Sequence, residues 1–372
     1  MFPYWTTAGT DGELIYLVIP CVLAPSRARR NESSWSVSLI SQASLGALKH
    51  VPYMLERWRG PSELVFFLTD FHHLQVVADF WTSIQPASLK QFTSVHVVLP
   101  AAVMPELLTL NSLLFWLDLW QLIGELHHES WEKLWRNSEA YVANFQHDSM
   151  PYPANLLRNV GRNMSPTAYH LVIDADIIPS PGLHSTVEET VAVHRDDLQK
   201  IGLVIPVFET DEVECIEKSL PTSKTELLTL MELDSSRFFP FYHNVNPGVQ
   251  ARTNYKRWFQ LESGLNMTDP IAYDVDWMNP YEPFVVLHQS APLYDPEFTD
   301  YGVNRLSQLC ELHIAGWNFV VLRDEFLVHC GTKRKDAFHP DKSQQLLYNQ
   351  QLYKGSFWRK LERKYSHITR TC

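Results

Sequence analysis

The 372-residue sequence has no C-x-x-C pair. Its five cysteines, Cys21, Cys215, Cys310, Cys330 and Cys372, are scattered, which excludes a zinc ribbon or dithiol redox motif and leaves both pairing and compartment open. No N-terminal apolar run is long enough to cross a bilayer: Leu14 to Ala24, the longest, is too short and is interrupted by Pro20. Without a basic stretch before it, that run is also a poor secretion signal. An anchor is therefore expected outside these residues or not at all. Basic stripes are missing too, since 31 Lys and Arg against 42 Asp and Glu give a formal charge of −11, which argues against nucleic acid as a partner. The Arg27, Arg29, Arg30 cluster reads as solvated charge.

What is present is a globular profile of 45% apolar and 20% charged residues, enough for one large α/β domain or two smaller ones. Twelve Trp, fifteen Tyr and nineteen Phe favour concave binding surfaces as well as cores. Three N-x-[ST] triplets begin at Asn31, Asn163 and Asn266, and permit a lumenal setting.

Residues 1–33 read as a loosely ordered lead-in. Trp35 to Ile40, Glu63 to Leu68 and Val95 to Leu99 are strand candidates, separated by helical patterns over Leu45 to Trp58 and His72 to Ile84. This β-α-β-α-β order predicts a parallel sheet with right-handed crossovers. Met104 to Phe145 is rich in Leu and Trp at helical spacing and reads as packed helices, with a partner or membrane-surface contact as the alternative. His127, His128 and His147 nearby are not at ligand spacing and read as surface residues.

A fourth strand, Tyr169 to Asp174, ends in Asp174-Ala-Asp176. Its apolar run predicts burial on both faces, and ligands in open α/β sheets bind beyond the carboxyl ends of strands. Two acids one residue apart there suit a divalent cation that keeps water and substrate phosphate in its other positions. No second acidic cluster is visible, so a two-metal phosphohydrolase is disfavoured. Just upstream, Asn155, Arg158, Asn159 and Arg162 form one polar helical stripe, either a solvated face or a reader of base and ribose. Downstream, Asn304, Ser307 and Glu311 share a polar stripe on a helix stopped by Gly316, and Phe326 to His329 is a strand ending on a histidine. His329 is either a core residue or the third ligand that the acid pair needs. Lys333 and the cations after it suit a diphosphate leaving group, on which charge builds in the transition state.

These pieces, with Val204-x-Pro206-x-Phe208-Glu209-Thr210, Tyr281-Glu282-Pro283-Phe284 and Phe298-x-x-Tyr301-Gly302-x-Asn304, resemble glycosyltransferase family 49, the β-1,4-glucuronyltransferase family that is similar to the second catalytic domain of the LARGE enzymes. The resemblance covers roughly residues 35 to 365 and leaves 104–145 as an insertion. It implies an α/β GT-A fold with a Rossmann-like, mainly parallel sheet and a single catalytic domain over 34–372. It also implies a UDP-sugar donor, manganese on Asp174, Asp176 and His329, and inversion at the anomeric carbon. Golgi-lumenal action on a glycoprotein glycan follows, with a type II membrane anchor in the family. Asn155, Arg158, Asn159, Asp174 and Lys333 are expected to bind the nucleotide sugar. Inversion needs a carboxylate to take the acceptor's proton: Glu311 is the first candidate, Asp300 the second and Glu282 the third. UDP-glucuronate is the expected donor and a xylose-terminated O-mannosyl glycan the expected acceptor. UDP-N-acetylglucosamine, or an idle glycan-binding member, is the alternative. A homodimer or a partner glycosyltransferase is carried as the assembly expectation.

Overall fold

Alternation within single strands shows why the sheet is buried on both sides. In Ser62–Phe67, Leu64 and Phe66 enter one apolar cluster while Val65 and Phe67 enter another on the opposite face. The computed structural model describes residues 3–9, 14–25, 36–71, 73–103, 150–194, 198–217, 220–262, 269–333, 340–365 and 369–372. The Met104 to Phe145 stretch, the Arg27 to Arg30 cluster, His127, His128, His147, Asn31 and Asn266 lie outside the described residues.

Fourteen strands are described: β1 (Tyr4–Ala8), β2 (Leu14–Leu23), β3 (Val37–Ala43), β4 (Ser62–Phe67), β5 (Thr93–Pro100), β6 (Tyr169–Asp174), β7 (Ile177–Pro179), β8 (Ile201–Ile205), β9 (Val207–Thr210), β10 (Phe239–Pro240), β11 (Ile271–Val275), β12 (Phe284–His288), β13 (Asn318–Leu322) and β14 (Leu327–Cys330). Ten form one sheet in the order β1-β2-β5-β4-β3-β6-β12-β8-β13-β11, and four form a second in the order β10-β9-β14-β7. Strands β5, β4, β3 and β6 are mutually parallel, the Rossmann-like half expected from the β-α-β-α-β reading. Strand β12 then pairs antiparallel with both β6 and β8, and joins that half to the rest. This is an α/β arrangement with the Rossmann-like half that the sequence predicts.

Residues 4–23 correct the reading of a loose lead-in. Strands β1 and β2 pair antiparallel, and β2 pairs antiparallel with β5. The β2 register shifts between Ile19 and Leu23, where Cys21 has φ +52° and its N–H donates to His96 Nδ1 at 3.0 Å. His96 Nε2 lies 2.8 Å from Glu63 Oε2, so a fully buried dyad ties the bulge to β4 and β5.

Helices α1 (Val51–Trp58) and α2 (His73–Ser83) contribute Met54, Leu55, Trp58, Leu74, Val77 and Phe80 to one face of the sheet. Helix α3 (Ala154–Met164) covers the other with Leu156, Leu157 and Val160. Its backbone lies so close that a Cβ at Gly161 would collide with Ile40 Cγ2. The remaining helices used below are α4 (Glu212–Glu217), α5 (Asn304–Ile314) and α6 (Pro340–Leu352). Gly316, at φ +85°, follows α5 and closes it as the sequence predicts. Among the described residues no helix is long and apolar enough to cross a membrane.

Candidate active site

The two sheets meet at the acid pair. Strand β6 ends at Asp174, and β7 begins three residues later in the second sheet, so Asp174-Ala-Asp176 bridges them. In that second sheet His329 sits opposite Ile177, and the Cys330 N–H donates to the Asp176 carbonyl at 2.8 Å. Register alone therefore brings His329 to Asp176, with Nε2 3.2 Å from Oδ2.

The other nitrogen fixes what that contact is. His329 Nδ1 lies 2.6 Å from the Gly331 carbonyl, which can only accept, so Nδ1 carries the proton. In the neutral ring the Nε2 lone pair then faces a carboxylate oxygen, two acceptors in one buried place. A divalent cation between them fits that donor set, and the Nδ1 bond is the kind that orients a ligating imidazole. Burial pushes the Asp176 carboxyl up, but positive charge beside it, an imidazolium at His329 together with Lys333 and His50, holds it well below the usual range, so the place between Asp176 and Nε2 calls for a proton or a cation.

Asp174 behaves differently from the sequence expectation. Gln42, opposite it in the parallel β3–β6 register, donates to Oδ1 at 2.9 Å. Arg158 donates to the same oxygen at 3.1 Å, and Arg305 donates to Oδ2 at 2.8 Å. Burial is thus outweighed by the two guanidiniums, and the carboxyl is held low. Among the described residues no three carboxylate, imidazole or thiolate groups converge on one point. Of the three expected ligands, Asp176 and His329 stand together, and the Asp174 carboxylate faces Arg158 and Arg305.

All of these side chains open on one cavity of about 600 Å³, which Arg158, Asp174, Asp176, His329 and Lys333 share with Glu282, Asp300 and Arg305. Asp300 and Val303, neither a glycine, have φ of +58° and +62° at its rim. Burial pushes Glu282 up to about 7, against the pull of Arg305 and Arg158.

Four expected site residues are elsewhere or otherwise engaged. Glu311 is 5% exposed and does not line the cavity; its Oε1 accepts from Lys364 Nζ at 2.7 Å and Tyr365 Oη at 3.0 Å. Asn155 donates to the Asp295 and Asn304 carbonyls, and Asn159 exchanges hydrogen bonds with the Tyr294 backbone. These amides clamp a loop rather than face the cavity. Asp300 reaches the cavity, but Oδ1 accepts the Tyr152 N–H at 2.7 Å. Residues the sequence reading passed over are Gln42, Tyr152 and Arg305. Gln42 lies two residues past the strand read from the sequence, inside the observed strand β3, and Arg305 shows in the sequence only as one charge on a helix.

Two disulfides brace the site. Cys215–Cys330 ties α4 to β14 beside His329, and Cys310–Cys372 ties α5 to the C-terminal residue.

Known proteins resemble the chain over most of its length. The chain is 34% identical over 347 residues to beta-1,4-glucuronyltransferase 1 of Bos taurus, covering 90% of this chain and 77% of the relative. It is 33% identical to the Homo sapiens protein of that name over 90% of this chain and 77% of the relative. The xylosyl- and glucuronyltransferase LARGE2 of Mus musculus is 27% identical, over 79% of this chain and 34% of that protein. A crystal structure of GalNAc-T7 with UDP, GalNAc and Mn2+ covers 91% of this chain and 55% of its own at 9% identity and a TM-score of 0.45. The family model described as glycosyl-transferase for dystroglycan matches residues 36–366. The chain is a glycosyltransferase and belongs to that family, glycosyltransferase family 49.

Proposed function

We propose that the protein is an inverting, metal-dependent glucuronyltransferase that moves glucuronic acid from UDP-glucuronate to a glycan acceptor, a xylose-terminated O-mannosyl glycan of the dystroglycan type. The observation that carries it is the Asp176–His329 pair, a cation-accepting donor set in the same cavity as Glu282, a half-buried carboxylate that meets no side-chain hydrogen-bond partner among the described residues. The names of the relatives support the donor.

Asp176 and His329 would hold a manganese ion, which when bound neutralises charge on the departing diphosphate. Lys333 lies beside Asp176 and adds a cation to the same end of the cavity. Glu282 is the base. Its carboxylate takes the acceptor hydroxyl proton as that oxygen forms a bond to the anomeric carbon and the bond from that carbon to UDP breaks, which inverts the centre. It displaces Glu311 and Asp300 in this role because those two are spent on Lys364, Tyr365 and the Tyr152 backbone. Action in the Golgi lumen is supported by the two disulfides, which persist in oxidising compartments, and by the exposed Asn163 of one glycosylation triplet.

The test is UDP release from UDP-glucuronate by the purified protein with manganese and a xyloside acceptor. Asp176→Ala and His329→Ala are each expected to lower kcat/KM at least 100-fold. Release that survives chelation, or that both variants retain, removes the metal from the reading; no release with any acceptor removes the donor.

A further inference from the structure

We infer that Arg305 reads the carboxylate of the donor sugar and so makes the site prefer a uronic acid to a neutral hexose. This rests on the glucuronyl-donor reading above and names the residue that carries its specificity.

The cavity wall is acidic where a sugar would sit: Asp174, Asp176, Glu282 and Asp300 all line it. A uronate entering there is repelled unless a cation receives it. Among the described residues, three long cationic side chains line the same cavity: Arg158, Arg305 and Lys333. Arg158 is 3% exposed, with Nη1 donating to Asn155 and Asn304 and Nη2 to Asp174, so it is held from three directions. Lys333 acts on Asp176, and an ammonium is a point charge without a planar edge.

Arg305 is built otherwise. Only Nη2 is engaged, by Asp174, and among the described residues Nε and Nη1 meet no hydrogen-bond partner. Its guanidinium lies 3.7 Å above the Phe284 ring centroid, which fixes the plane and leaves the edge for a ligand. A guanidinium offers flat two-nitrogen edges that match a carboxylate, and the single Nη2 contact to Asp174 Oδ2 leaves the remaining donors of Arg305 for one. Its place in the chain points the same way. Arg305 is in the first turn of the eleven-residue helix α5, a turn without an acid, where the helix dipole disfavours a cation. The sequence keeps a cation at that end, facing the cavity.

Calorimetric titration of wild type, Arg305→Met and Arg305→Lys with UDP, UDP-glucose and UDP-glucuronate, each with manganese, tests this without relying on turnover. Wild type is expected to bind UDP-glucuronate roughly 10- to 100-fold more tightly than UDP-glucose, the range for hydrogen bonds to a charged group. Arg305→Met should erase that ratio, the loss falling on UDP-glucuronate alone, and Arg305→Lys should keep only part of it. A ratio unchanged in Arg305→Met overturns the inference and leaves the donor reading standing. So does an equal loss for all three ligands, which would mean that Arg305 acts through Asp174. Wild type that binds the two sugars equally sinks the donor reading and this inference together. Should Arg305→Met unfold before titration, Arg305→Lys decides, since it keeps the charge and removes the fork.

Discussion

A carboxylate is a more effective base at neutral pH when something raises its proton affinity, and in this cavity desolvation does that for Glu282. The sign of the pH dependence follows: the base must be ionised, so kcat/KM is expected to fall about tenfold per unit below about 7 and to level off above it. Glu282→Gln should lower kcat by roughly 100- to 10,000-fold, the span of general-base contributions, and remove that limb from the profile. The same shift has a stability consequence. A folded-state value above the unfolded one favours the protonated fold, a contribution present at low pH and lost as pH rises through about 7. Glu282→Gln is therefore expected to melt higher than wild type at pH 8 while losing activity. Glu311→Gln should do the reverse, leaving the pH limb in place and weakening the fold through Lys364 and Tyr365. A pH profile unchanged in Glu282→Gln would return the base to another residue.

Elements explain which of these residues could be read from the chain. Asp176 and His329 were legible because each ends an apolar run, and the carboxyl ends of strands are where α/β sheets put their sites. That they touch is a matter of β7–β14 register, which no local pattern encodes. The placement of Glu311 off the cavity was not legible, because helical periodicity says which residues share a face and not what the face meets: α5 is covered again by the helix Trp358–Lys364, so its polar stripe is partly internal. The Asn155, Asn159 stripe misled similarly, since the loop it clamps, Ala291 to Asp295, is more than a hundred residues away in sequence. The parallel strands were legible from β-α-β spacing, whereas antiparallel β12 between β6 and β8 was not, because its partners are decided by tertiary packing. Close packing at the α3 crossing gives an element-scale prediction. Gly161→Ala pushes a methyl into Ile40 and should cost about 1 to 3 kcal/mol in chemical denaturation. Because α3 also carries Arg158, donor affinity should weaken with it; an unchanged unfolding midpoint would mean that the helix can shift at no cost.

For the molecule as a whole, the two disulfides decide how far the ends of the site stay together. Cys310–Cys372 spans 62 residues and Cys215–Cys330 spans 115, so each removes chain entropy from the unfolded state worth about 4 to 5 kcal/mol by loop length. The first anchors the segment after α6 to α5, the helix of Asn304 and Arg305; the second anchors α4 to the strand of His329. Such bridges persist in oxidising compartments, where thiols do not reopen them, which fits the lumenal setting proposed above. Denatured but unreduced protein is therefore expected to yield one reactive thiol per chain, from Cys21, which stands outside both bridges. Reduction should raise the count to five. Cys215→Ser with Cys330→Ser should lower stability by about 2 to 5 kcal/mol and weaken manganese binding, because the strand that holds His329 loses its tether to α4. Cys310→Ser with Cys372→Ser should lower stability by a similar amount and leave manganese binding intact, because its tether ends on α5. Five thiols before reduction would place the protein in a reducing compartment and remove both bridges from its energetics.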